Sequence, residues 1–226
     1  MPRVTYNTEK KLNTMRCDFI LDFETMGQDA LKCPAVDCAI ATFDWDRFVE
    51  QPYTFEELTQ GHIQRLKVSV EDQVKNYDAL VEKQTIQFWA SQSPSVREHI
   101  KPLATDLTQE QFCDEVITFL ADSPKIAYWW SRANVFDPLI LWRMMKDCGR
   151  HHSLNQYLMF WRVRDTRTFI DAKFNFTTKN GFIPVSDVDY WESAFEEHNS
   201  IHDVAADIMR LQAIHRAEND LEQTEK

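Results

Sequence analysis

Apolar residues fall along this chain in short blocks of two kinds. "CDFILDFE" (17–24) and "KIAYWWS" (125–131) are nearly unbroken apolar runs bounded by polar residues, the pattern of strands buried on both faces. "VDCAIATF" (36–43) alternates enough to be a second strand, "IQRLKVSV" (63–70) reads as a third, and "FWRVRD" (160–165) is a further candidate. Helical spacing is expected near "TIQFWASQ" (85–92), over 108–121, and in a closing helix from about 202 to 217 that gives way to a frayed acidic end. "DPLILWRMMKDC" (137–148) has a clear helix start, because Pro138 suits the first helical position and Asp137 the N-cap. Strands followed by helices in this order predict an α/β fold, a sheet with helices packed on it. In open sheets of that class ligands gather at the carboxyl ends of strands. Asp22 and Glu24 sit at such an end.

Composition narrows the class. The chain has 226 residues, 43% hydrophobic and 27% charged, enough to bury one sizeable core, and no repeat or composition break divides it. Residues 17–226 are therefore expected to form a single domain behind a polar extension, residues 1–16, that carries excess positive charge. No apolar run approaches the ~20 residues of a membrane-spanning helix, so no membrane is expected as a partner. The start of the chain lacks the apolar centre of a secretory signal, and its five scattered cysteines form no CxxC pair. They read as reduced thiols of a cytoplasmic protein rather than a disulfide frame or zinc site. The net charge of −11 argues against broad electrostatic wrapping of a nucleic acid but not against a site that meets phosphates through bound cations.

Three groups of polar residues carry candidate chemistry. Asp22 and Glu24 are two apart on the first strand, so their side chains project from one face. Two carboxylates ~4 Å apart repel by about 4 kcal/mol at an effective dielectric near 20. A cation must compensate: a Lys or Arg, or, with catalytic consequence, a divalent metal. Asn134, Phe136 and Asp137 follow the apolar strand 125–131, where Asp137 is also accounted for as a helix cap. Near the C-terminus an H-x4-D spacing occurs three times, as His198–Asp203, His202–Asp207 and His215–Asp220. Asp203 in a first helical turn suits the helix dipole and needs no other role. Asp207 sits among Ala205, Ala206, Ile208 and Met209, where a carboxylate needs a reason, so the pair His202–Asp207 is preferred. Ala205 and Ala206 would let that helix approach a sheet closely.

Taken in order, D-x-E (Asp22, Glu24), N-x-x-D at a helix start (Asn134, Asp137) and H-x4-D (His202, Asp207) resemble the DEDDh 3′→5′ exonucleases, a superfamily with a ribonuclease H-like fold. "DFILDFETMG", "TIQFWASQSP", "RDTRT" (164–168) and "IHDVAADIM" carry the likeness from residue 17 through nearly the whole chain. The wording is similar to the exonuclease A branch of the T-even bacteriophages and to a bacterial exoribonuclease branch. The resemblance implies a mixed central sheet flanked by helices. It implies that Asp22, Glu24, Asp137 and Asp207 hold two divalent ions, Mg²⁺ or Mn²⁺, and that His202 is the general base. Nucleoside 5′-monophosphates would leave from the 3′ end of single-stranded DNA, or alternatively of RNA, in a host cytoplasm if the chain is phage-encoded. A non-catalytic nucleic-acid-binding module of the same fold is the other reading, but it would be expected to have lost an acid or the base. No protein partner is indicated. Thr25 and Met26 after the strand end, Phe136 by stacking and Arg164 by charge are candidate substrate contacts. The plain readings are core packing for Phe136 and an ion pair for Arg164. Phe23 alternates to the face opposite its acids and is expected in the core.

Overall fold

The computed structural model describes residues 17–132, 134–178, 181 and 194–224; the expected extension 1–16 lies outside these residues. Five strands, β1 (Cys17–Thr25), β2 (Ala35–Phe43), β3 (Gln64–Lys67), β4 (Ile126–Ser131) and β5 (Val163–Asp165), form one sheet in the order β3-β2-β1-β4-β5. β2 runs antiparallel to β1 and β3, whereas β4 runs parallel to β1 and β5. The sheet is therefore mixed, as expected, and the carboxyl ends of β1, β4 and β5 lie on one side. Helices follow as α1 (Val70–Asn76), α2 (Lys83–Ser91), α3 (Pro94–Ile100), α4 (Gln109–Asp122), α5 (Asp137–Asp147), α6 (His151–Tyr157), α7 (Thr166–Lys173) and α8 (Ser200–Thr224).

Alternation along β1 divides the core. Phe19, Leu21 and Phe23 point to one face, where Phe112, Val116 and Leu120 of α4 and Ile140, Leu141 and Met144 of α5 cover them. The Phe23 ring lies 5.8 Å from that of Phe112, so its expected core position holds. Ile20 points to the other face, against Val204, Ala205, Ile208 and Met209 of α8. Each of the larger side chains contributes about 1.5–3 kcal/mol on leaving water. Ala205 and Ala206 are fully buried where α8 meets the sheet. This second face also receives the three acids of β1: Asp18, Asp22 and Glu24.

Some expected elements differ. The third strand stops at Lys67 rather than residue 70, because Ser69 caps α1 by accepting from the Asp72 N–H at 3.2 Å. Of the run 160–165 only Val163–Asp165 is strand; Phe160–Arg162 is a 3-10 turn. Asp137 does not cap α5. Phe136 holds the cap position without a side-chain bond, and Asp137 is the first helical residue. The closing helix continues through the acidic end to Thr224, tied back where Lys173 pairs with Glu218 at 2.5 Å.

Candidate active site

One strand carries three acids on one face with opposite fates. Asp18 is fully buried and saturated: its Oδ2 accepts from the indoles of Trp45 and Trp130, both at 2.8 Å, and its Oδ1 from the Tyr128 N–H at 3.1 Å. Asp22 and Glu24, at the other end of β1, receive no hydrogen bond from any described residue. The register with β2 shifts between Glu24, opposite Asp37, and Thr25, opposite Ala35. Such bulges re-aim side chains beside functional sites. Oxygens of Asp22, Glu24 and Asp203 lie within 4.8 Å of one another. Asp203 comes from the first turn of α8 and, like the other two, has no donor among the described residues. Asp137 approaches from α5, where its Oδ1 accepts the N–H of Phe23 at 3.3 Å, on the backbone between the two β1 acids.

Burial first, and mutual repulsion after it, disfavour the ionised form of these carboxyls. Burial, then Asp137, Asp203 and Glu24, push the Asp22 carboxyl well above its ordinary value. Burial, then Asp37, Asp203 and Asp137, do the same to Glu24, with Arg65 opposing. Burial raises Asp203 to about 7, with Asp207 adding to it and Arg210 and Arg132 opposing. Burial also raises Asp137 to about 7 against the backbone N–H bonds it accepts. Carboxylates that lack donors among the described residues and resist ionisation, as Asp22, Glu24 and Asp203 do, fit a hard divalent cation, which supplies the missing charge to oxygen ligands.

Asp207 fills a different position from the one the sequence suggests. Its Oδ1 accepts from Arg132 Nε at 3.1 Å and Arg210 Nη1 at 2.9 Å, and its Oδ2 from the Thr166 hydroxyl at 2.5 Å. Two guanidinium groups and a hydroxyl already occupy this carboxylate, so it is Asp203 that joins the β1 acids. The histidines part in the same way. His202 is half-buried, its Nδ1 accepts the N–H of Glu196 at 3.0 Å, and its ring meets Phe55 edge-on at 5.3 Å. His198 instead lines a cleft of about 280 Å³ together with Glu24, Thr25, Phe88, Trp89 and Phe136. Its backbone is left-handed, with φ 64°. Its ring stands edge-on to Phe88 at 4.9 Å.

The expected substrate contacts divide likewise. Phe136 and Thr25 line the cleft, and the Thr25 carbonyl accepts from the Trp89 indole at 2.9 Å. The Met26 N–H is committed to the Pro34 carbonyl at 2.9 Å, and Met26 is not among the cleft's lining residues. Arg164 lies over the Tyr128 ring, 4.1 Å from its centre, and donates to the Val163 carbonyl at 2.7 Å. Asn134 turns its N–H to Asp165 at 3.0 Å. Gly27 closes the cleft wall where only glycine fits: a Cβ there would stand 2.8 Å from Glu82 Oε1 and 2.9 Å from Cys33 Cβ.

His198–Asp203 has the same spacing as His202–Asp207, and Arg210, three residues after Asp207 on the helix, already offers Asp207 a partner.

A mixed sheet flanked by helices, with acids massed at the carboxyl end of its central strand, defines a nuclease-type ribonuclease H-like domain. Residues 17–215 match the family model described as the Rv2179c-like 3′-5′ exoribonuclease domain. The chain belongs to this family, within the DEDDh 3′-5′ exonucleases. It is 32% identical over 210 residues to a protein of Enterobacteria phage T4 named exodeoxyribonuclease, a match covering 86% of this chain and 87% of the phage protein. Among solved structures it resembles E. coli exonuclease I in complex with a dT13 oligonucleotide, with a TM-score of 0.61 and 14% identity over 92% of this chain. It also resembles exonuclease I of Methylocaldum szegediense, with a TM-score of 0.57 and 13% identity over 91% of this chain. The chain spans only 43% and 41% of those two proteins. Among the described residues no helix is long and apolar enough to cross a membrane.

Proposed function

We propose that residues 17–226 form one exonuclease domain that removes nucleoside 5′-monophosphates from the 3′ end of single-stranded DNA in the cytoplasm, that of a host cell if the chain is phage-encoded. The observation that carries this reading is the meeting of three donor-free carboxylates, Asp22, Glu24 and Asp203, beside a cleft lined by His198. In this reading Asp22, Glu24, Asp203 and Asp137 hold two divalent cations, Mg²⁺ or Mn²⁺, with Asp203 in the role the sequence offered to Asp207. When bound, such ions stabilise the attacking and leaving oxygens of a phosphodiester displacement. His198, in place of His202, takes the proton of the attacking water, work for which an imidazole is suited near neutral pH. Phe136 and Trp89 receive the terminal nucleotide by stacking, which tolerates any base. Asp207 holds Arg132 and Arg210 beside Asp203, positioning it rather than binding metal.

DNA is favoured over RNA by the name of the phage relative, which matches this chain over most of both lengths. The family model's description favours RNA. The deciding assay uses 5′-labelled DNA and RNA 20-mers, single- and double-stranded, with Mg²⁺, with Mn²⁺ and with EDTA. A metal-dependent ladder shortening from the 3′ end of single-stranded DNA is expected. Faster loss of RNA moves the reading to an exoribonuclease, and no ladder on any substrate removes it.

A further inference from the structure

His198 reaches the cleft from a segment with no regular structure of its own. Its left-handed backbone, φ 64°, is a conformation that a bulky residue keeps only when its surroundings enforce it. Two residues earlier, Glu196 is held from every side. Its carboxylate accepts from the Ser95 hydroxyl and from Asn199 Nδ2 at 3.2 Å, and lies 3.2 Å from His99 Nε2. Its N–H donates to His202 Nδ1 at 3.0 Å. Ser95 and His99 are four apart on α3 and so present one face to the segment.

A second layer locks the first. Arg65 on β3 directs Nη1 to His99 Nδ1 at 3.0 Å, bonds Asn199 Oδ1 through Nη2, and pairs with Asp37, the cross-strand neighbour of Glu24, at 3.6 Å. A guanidinium only donates, so His99 Nδ1 must accept and the ring hydrogen sits on Nε2, facing Glu196. The chain Asp37–Arg65–His99–Glu196 thus runs from beside a β1 acid to the backbone that aims His198.

We infer that Glu196 is a positioning residue: gripped by Ser95, His99 and Asn199, it fixes the left-handed turn that points His198 into the cleft. This rests on His198 being the general base. His202 then has a role consistent with its burial, as the acceptor that pins the Glu196 N–H.

The test combines Glu196→Ala, Glu196→Gln, His198→Ala and the double variant Glu196→Ala/His198→Ala, with kcat and KM on a 5′-labelled DNA oligomer, Mn²⁺ affinity and Tm measured for each. Glu196→Ala should lower kcat by roughly 10- to 100-fold, as misplacing a reacting group does, with Mn²⁺ affinity unchanged. KM should move by less than about threefold, the sign of an interaction expressed in the transition state. Glu196→Gln, which keeps an acceptor oxygen for His99, should recover most of the rate. The double variant should be no slower than His198→Ala alone. If Glu196→Ala folds poorly, Ser95→Ala serves instead, with an expected loss of roughly two- to fivefold in kcat at unchanged Tm. Wild-type kcat in the variant tested, or additive losses in the double variant while His198→Ala is slow, overturns the inference and leaves the base assignment standing. A near-normal rate for His198→Ala overturns the base assignment itself.

Discussion

Asp203, in the first turn of the last helix, presents a carboxylate oxygen within 4.8 Å of one on Glu24, at the end of the first strand. Neither acid receives a hydrogen bond from any described residue, whereas Asp207, one helical turn further on, is saturated by Arg132, Arg210 and Thr166. Donor supply therefore separates a ligand-ready acid from a structural one, though both look equally charged in sequence.

The two histidines should separate by the same logic. His198→Ala should lower kcat by roughly 10²–10⁴-fold at pH 7, the usual worth of a general base. His202→Ala removes the acceptor for the Glu196 N–H and the ring packed on Phe55, and its loss should stay at least tenfold smaller, a gap of about 1.4 kcal/mol in barrier. Steady-state rates on a labelled oligomer check the order; a reversed order returns the base to His202.

Metal-free stability should depend on pH in a direction set by Asp137 and Asp203, both raised to about 7 when folded. A carboxyl with a raised folded value binds its proton more tightly in the native state. Its contribution is complete below the unfolded value near 4 and is lost as pH rises through about 7. In EDTA the Tm should therefore fall by several degrees, roughly 5 °C, between pH 5.5 and pH 8. Saturating Mg²⁺ at pH 8 should restore it by binding the native state. A Tm in EDTA that is flat or rises over that interval contradicts the electrostatic account.

Most of the fold was legible because β1 and β4 betray themselves as apolar runs and β2 by its alternation. The start of α5 was legible from Pro138, yet Asp137 proved to be the first helical residue, its side chain turned to Phe23, which no local rule encodes. Asp22 and Glu24 could be paired from strand periodicity alone. The choice between Asp203 and Asp207 could not, because the arginine that helps fill Asp207 from outside its helix, Arg132, lies far away in sequence and meets it only in the folded chain. For Arg164 the charge was visible in sequence, and the Tyr128 ring beneath it was not.

Removing the aromatic wall of the cleft should weaken substrate binding without touching the acids. Phe136→Ala should raise KM for single-stranded oligomers by roughly 5- to 100-fold, matching about 1–3 kcal/mol of lost base stacking, with similar effects for all four terminal bases. Equal KM values for variant and wild type would place the terminal nucleotide elsewhere.

Asp207→Ala should act on stability. It removes the carboxylate that Arg132 and the buried Arg210 share. Breaking a buried ion pair costs about 3–5 kcal/mol, so urea denaturation should reveal a large fall in midpoint with little change in slope. A midpoint within error of wild type would mean that Asp207 is dispensable to the fold.

The central claim, that Asp203 completes the cation site with Asp22 and Glu24, is met most directly by titrating Mn²⁺ into substrate-free wild type, Asp203→Asn and Asp207→Asn and following free Mn²⁺ by electron paramagnetic resonance. The account predicts binding by wild type and Asp207→Asn, and affinity at least tenfold weaker, about 1.4 kcal/mol, for Asp203→Asn. Wild-type affinity in Asp203→Asn together with lost binding in Asp207→Asn would contradict it.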